Sequence, residues 1–257
     1  MIVREDLAIR IKDVSKSYRL IRNRPTSLKE AIIRRSRRFS IENFWALRDI
    51  DLDIPKGSFF GLIGHNGSGK STLLKLLSGI HRQTSGSIEI NGQLSALLEL
   101  GAGFHPELTG RENIYLNGAI LGMNRRQMSE LVEEIVEFSG IGDFVDSPVR
   151  VYSSGMYVRL GFAIAVHVNP EILLVDEVIA VGDEEFQRKC LNHMEMLRDK
   201  GVTIVLVSHD IEQVRNLCDR VAWIDKAYLV EVGDPGEVCD RYLTHVDHGG
   251  DSTERDN

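Results

Sequence analysis

Apolar and polar residues alternate over residues 7–12, where Leu7, Ile9 and Ile11 oppose Arg10 and Lys12, and over 49–54, where Ile50, Leu52 and Ile54 oppose Asp49, Asp51 and Asp53. A period of two with one charged face predicts half-buried, antiparallel strands. Three other runs are apolar almost throughout: Phe59 to Ile63, Ile172 to Val175 and Val202 to Val207. Unbroken runs of this length predict strands covered on both faces, as in a parallel sheet. A helix over 184–199, stopped near Gly201, separates the last two and predicts a parallel, right-handed crossover. Ser87 to Gln93 predicts a strand ending at the Asn91-Gly92 turn, with Leu94 to Leu100 as its antiparallel return. Thr109-x-x-Glu112 and Asn124-x-x-Gln127 have capping-box spacing and predict helices over 110–121 and 125–139. A third helix is predicted over 154–168, and its amino end carries Ser153-Ser154-Gly155. Residues 221–225 and 228–232 predict a closing hairpin, followed by a helix through Val238 and Tyr242. Residues 247–257 are polar and predict a disordered tail.

The chain has 257 residues, 42% of them hydrophobic, enough for one large α/β domain with a packed core. A net charge of −7 argues against a nucleic-acid partner. Residues 19–42 run against that average, since Arg19, Arg22, Arg24, Lys29, Arg34, Arg35, Arg37 and Arg38 face only Glu30 and Glu42. Ser27-x-x-Glu30 predicts a helix over 27–38 within this basic insert, suited to anionic headgroups or a membrane partner; a solvated charged loop is the alternative. Cys190, Cys218 and Cys239 lie far apart and predict reduced thiols with no disulfide or zinc site. The N-terminus lacks the apolar segment of a signal peptide, and no run reaches the roughly 18 apolar residues of a membrane helix, so a cytoplasmic location is expected.

The chemistry is concentrated in Gly64-His65-Asn66-Gly67-Ser68-Gly69-Lys70-Ser71-Thr72, which fits G-x-x-x-x-G-K-[ST] between a strand and a helix. Glycines there let backbone N–H groups curve around a polyphosphate at the positive end of a helix. Lys70 is expected on the β- and γ-phosphates of a nucleoside triphosphate and the Ser71 hydroxyl on Mg²⁺. Asp176 and Glu177 end the second buried strand: Asp176 is expected to hold Mg²⁺, and Glu177 to polarise the attacking water as general base. His209, at the end of the third, is expected to contact the γ-phosphate or that water.

Together these motifs resemble the nucleotide-binding subunit of an ABC transporter, over about residues 7–242. The resemblance implies an α/β fold of the P-loop NTPase, ABC ATPase type: a mixed parallel core sheet, an antiparallel section and an α-helical subdomain of about 104–168, all within residues 1–246. It implies ATP and Mg²⁺ as cofactors. Tyr18 matches the aromatic that stacks on adenine, with Phe44 and Trp45 as rivals. Ser153 and Gly155 hold the signature position, which touches the γ-phosphate of a second copy, and Ala180-Val181-Gly182-Asp183 matches the D-loop. The glutamine usual after the third strand of the antiparallel part is missing, and Glu99 stands as its replacement near the metal. The segment Leu97 to Asn113, the Tyr-Ser-Ser-Gly-Met signature and the basic insert narrow the resemblance to ATPases that export O-antigen, teichoic acid and other lipid-linked polysaccharides, without their carbohydrate-binding domain. This implies a homodimer on two copies of a separate permease, peripheral to the cytoplasmic face of the inner membrane. A drug or small-lipid exporter, or a soluble ABC-type ATPase acting on nucleic acid, are the alternatives.

Overall fold

A computed structural model describes residues 6–22, 40–98, 101, 103–176 and 183–248. The predicted helix 27–38, Glu99, Glu177, Ala180 to Gly182 and the end of the tail lie outside the described residues.

Two sheets form the frame. Strands β1 (Leu7–Arg22), β2 (Ser40–Pro55) and β4 (Ser85–Ile90) make an antiparallel sheet in the order β2-β1-β4. β1 and β2 are both longer than the alternation predicts. Asp13 and Asp49 adopt positive φ, 50° and 49°, and the register between the strands shifts near Asp13. Such bulges reset the period of two, so alternation is visible only on one side of each. The outer part of the ladder pairs Tyr18 with Phe44 and Arg22 with Ser40, so both margins of the basic insert are strand.

Among the described residues the second sheet has six strands, in the order β5-β6-β7-β3-β8-β9. β3 (Phe59–Ile63), β5 (Leu94–Ala96), β6 (Ile172–Val175), β7 (Thr203–Val207) and β8 (Arg220–Asp225) run parallel, and β9 (Tyr228–Gly233) returns antiparallel to β8. The expected hairpin between residues 87–93 and 94–100 does not form: β4 pairs with β1, while β5 pairs with β6 in the other sheet. Asn91-Gly92 is the crossing between sheets. Gln93 N donates to Glu171 Oε2 at 2.8 Å, and a Cβ on Gly92 would lie 2.5 Å from that oxygen. The glycine serves close approach to Glu171 instead of a tight turn.

Every residue of β3, β6 and β7 is buried because both faces are covered. On one face Phe60, Leu62, Val205 and Val207 pack with α1 (Lys70–Leu77) and the antiparallel sheet. On the other, Phe59, Ile63, Leu173, Val175 and Leu206 join a core with α2 (Gly110–Ile120), α3 (Arg125–Ser139), α4 (Ser154–His167) and α5 (Glu184–Asp199). Both capping boxes form, which places the starts of α2 and α3 as expected. α6 (Ile211–Leu217) and α7 (Pro235–Asp247) are the last two helices among the described residues. Among the described residues no helix is long and apolar enough to cross a membrane.

Candidate nucleotide site

The loop from Gly64 to Gly69 joins the central strand β3 to α1 and sits at the carboxyl ends of the parallel strands. Its three glycines have positive φ, 148°, 83° and 122° at Gly64, Gly67 and Gly69. Two are also fixed by neighbours: a Cβ on Gly64 would lie 2.1 Å from Ile224 O, and one on Gly69 would lie 2.6 Å from Ala46 O. Around Gly67 there is open space.

Lys70 is buried, and its Nζ curls back to donate to Gly64 O at 2.7 Å and His65 O at 3.1 Å. Its charge therefore spans the loop. α1 begins at Gly69 with no side-chain cap, the kind of helix start that an anion can meet. Ser71 is exposed in this first turn, and Thr72 is half-buried. Left-handed glycines, an uncapped helix start and a buried lysine suit a polyphosphate.

Strand order brings the other predicted groups alongside. β7 lies between β3 and β6, with Leu62 paired to Val207 and Val175 to Leu206, so the three strand ends are level. Asp176 follows directly on β6 and is half-buried, and His209 follows β7 and is exposed. Asp210 caps α6 by accepting from Gln213 N, and Ser208 Oγ accepts from Asp210 N at 3.1 Å. These bonds fix the turn that carries His209. A hydroxyl from Ser71 and a carboxylate from Asp176 are hard oxygen donors, a set that fits Mg²⁺. Glu177 and Glu99, the predicted base and metal-side carboxylate, fall outside the described residues.

The predicted signature residues start α4. Ser153 is its N-cap, with Oγ accepting from Met156 N at 3.2 Å, and a Cβ on Gly155 would meet Ser153 Oγ at 3.9 Å, an ordinary contact. Asp183 has a role inside the chain that its sequence position does not reveal. It caps α5 through Phe186 N and pairs with Arg159 of α4. The Phe186 N–H and the Arg159 guanidinium hold its carboxyl below the usual range. The rival base-stacking aromatics are direct neighbours across one ladder, Tyr18 opposite Phe44 and Ser17 opposite Trp45. Lys16 Nζ lies 4.9 Å from the centre of the Tyr18 ring, Arg48 covers Trp45, and Phe44 is 52% exposed.

Two contacts escape the sequence reading. Tyr157 of α4 donates its hydroxyl to Gly101 O at 2.7 Å, and a Cβ on Gly101 would lie 2.2 Å from the same ring. Leu-Gly-Ala-Gly-Phe is visible in the sequence, but not the tyrosine it packs on. The second contact is Asp225, at the end of β8, whose Oδ1 is 2.8 Å from His65 Nε2.

Residues 47–180 match the family described as ABC transporter. The chain belongs to the ABC transporter family. It is 53% identical over 241 residues to the O-antigen export system ATP-binding protein RfbB of Myxococcus xanthus, covering 91% of this chain but only 55% of that protein. It is 44% identical to a protein of the same name from Klebsiella pneumoniae, covering 91% of this chain and 96% of the relative. The teichoic acids export ATP-binding protein TagH of Listeria innocua is 44% identical over 93% of this chain and 70% of its own length. Among solved structures, an ATP-binding cassette captured as a dimer after hydrolysis, with ADP and Pi, superposes with a TM-score of 0.72 at 21% identity, over 88% of this chain and 98% of the other. That likeness establishes the ABC ATPase fold, of which the two-sheet frame and the loop before α1 are the parts seen here.

Proposed function

We propose that this chain is the ATP-hydrolysing subunit of an ABC exporter that moves a lipid-linked polysaccharide across the cytoplasmic membrane. One observation carries this reading: nine-tenths of the chain is similar to ATP-binding proteins named for O-antigen or teichoic acid export. A loop geometry suited to a polyphosphate supports it.

In this reading Lys70 and the first N–H groups of α1 bind the phosphates and offset the charge that gathers on them during reaction. Ser71 and Asp176 would hold Mg²⁺, which would supply further neutralisation of the phosphate charge. Glu177 accepts a proton from the attacking water as the bond to the leaving ADP oxygen breaks, and His209 steadies the γ-phosphate side. Glu99 takes over from the usual glutamine, and Tyr18, or Phe44 with Trp45, would stack on the base.

Ser153 and Gly155 act on the nucleotide of a second copy, with Asp183 beside them, so two chains close head to tail on two nucleotides. Closure and release drive a separate membrane permease, because ATP and ADP bind the closed and open dimers with different affinity. The dimer sits peripherally on the cytoplasmic face of the membrane, and the basic segment 27–38 serves anionic headgroups or the membrane partner. Depleting the chain in its host and identifying lipid-linked glycans inside the cell tests this. A lipid-linked glycan should accumulate, and Lys70→Ala should fail to clear it. Unchanged surface glycan after depletion would overturn the assignment.

A further inference from the structure

The turn between β8 and β9 reaches the phosphate loop from behind at three points. Ile224 O fills the space a Cβ on Gly64 would need, Asp225 Oδ1 meets His65 Nε2 at 2.8 Å, and Ala227 N donates to Ser68 O at 3.1 Å. Ala227 O in turn accepts from Arg48 N at 2.8 Å, which ties the turn to the β2 backbone that limits Gly69. The loop is thus bracketed at its first glycine, at His65 and at its last two residues before the lysine.

This bracket is held in a strained form. Lys226 and Ala227 both have positive φ, 44° and 72°, the arrangement of a two-residue hairpin that Asn-Gly meets without penalty and residues such as these do not. Ser68 Oγ is buried with no hydrogen-bond partner among the described residues. Strain and an unsatisfied hydroxyl persist where surrounding contacts over-determine a conformation. His65 has an acceptor beside each ring nitrogen, Asn66 O 2.7 Å from Nδ1 and Asp225 Oδ1 2.8 Å from Nε2. Asp225 is itself mostly buried, and its second oxygen lies 3.9 Å from His245 Nε2 on α7. The same helix packs Tyr242 and His245 against Trp223 of β8.

We propose that the Asp225–Ala227 turn is a positioning clamp that presets the phosphate loop for nucleotide, with Asp225 acting through His65 and α7 steadying Asp225 through His245. The inference rests on the reading of this loop as the nucleotide site. Asp225 meets the loop through the His65 side chain. Its effect falls on affinity, because a preset loop loses less freedom on binding, and not on the chemical step.

The test uses the full chain, titrated with a fluorescent ATP analogue and assayed for phosphate release. Asp225→Ala should raise Kd and KM about tenfold while kcat stays within about twofold. Asp225→Asn keeps an oxygen for His65 and should recover affinity to within about threefold. In the Asp225→Ala background, His65→Gln should add no further loss, since both act through one contact. Asp225→Ala with the wild-type Kd, or losses that simply add in the double variant, would overturn the clamp while leaving the nucleotide reading intact. A wild-type chain that binds no ATP analogue would overturn both. If Asp225→Ala does not fold, His245→Ala decides: a loss of affinity of threefold or more at unchanged kcat supports the clamp, and an unchanged Kd overturns it.

Discussion

Two helices of this chain begin among small residues, and they treat their first N–H groups differently. α1 starts at Gly69, which has no side chain to offer, and carries a buried lysine in its first position. α4 starts at Ser153, whose hydroxyl already accepts from Met156 N. An uncapped start backed by a cation is built to take an anion from outside; a capped start is stable without one. The Ser153 hydroxyl still has its hydrogen to donate, so α4 can meet a phosphate presented by another copy. The division suggests that α1 captures nucleotide and α4 closes over it.

The largest expected effect breaks the α1 side. Lys70→Ala should weaken ATP binding by more than about 100-fold, roughly 3 kcal/mol, in an equilibrium titration. Next come the loop glycines. Gly64→Ala places a Cβ 2.1 Å from Ile224 O, and unfolding in denaturant should show a loss of about 3 kcal/mol or more. Gly67→Ala meets open space, so only its positive φ counts and the loss should be about 1–2 kcal/mol. Equal losses at the two positions would show that the close approach to β8 does not shape the loop.

The far end of α4 has a sensitivity that α1 lacks. His167 and His193 form a tilted ring pair with centroids 4.8 Å apart beside Phe138, with Glu134, Lys189 and Lys200 the charged groups around them. Burial, and for His193 also its histidine neighbour, lower both, with His193 at about 4 against an ordinary 6.5. The unfolded chain then takes up protons first. Stability is full above pH 6.5 and falls as the pH drops towards about 4, by about 2 kcal/mol once partial exposure is allowed for. Urea midpoints at pH 7.5 and 4.5 measure this, and His193→Gln should reduce the difference. The smallest effect is on the α4 cap itself: Ser153→Ala should remove about 1 kcal/mol from unfolding stability.

Much of the frame could be read from the chain. β3, β6 and β7 announce themselves as unbroken apolar runs because both faces are covered, and the two capping boxes place the starts of α2 and α3 because their bonds are local. What failed depends on distant partners. β5 is only three residues long, too short to show a period, and the Asn91-Gly92 pair that suggests a hairpin serves contact with Glu171. The bulges at Asp13 and Asp49 hide the length of β1 and β2. At the candidate site, the placement of the loop, Asp176 and His209 at strand ends is legible because a parallel sheet gathers strand ends on one edge. Asp225 and Ala227 were not, since nothing near residue 225 in the sequence shows that its turn backs a loop at residue 64.

The proposed division of labour between α1 and α4 is tested most directly by the mass of the Glu177→Gln chain in solution, measured by light scattering with saturating MgATP and with MgADP. With the base removed, ATP should hold two chains together and give twice the mass of one, while ADP should give a single chain. A single-chain mass at saturating ATP would contradict a site completed by α4 of a second copy.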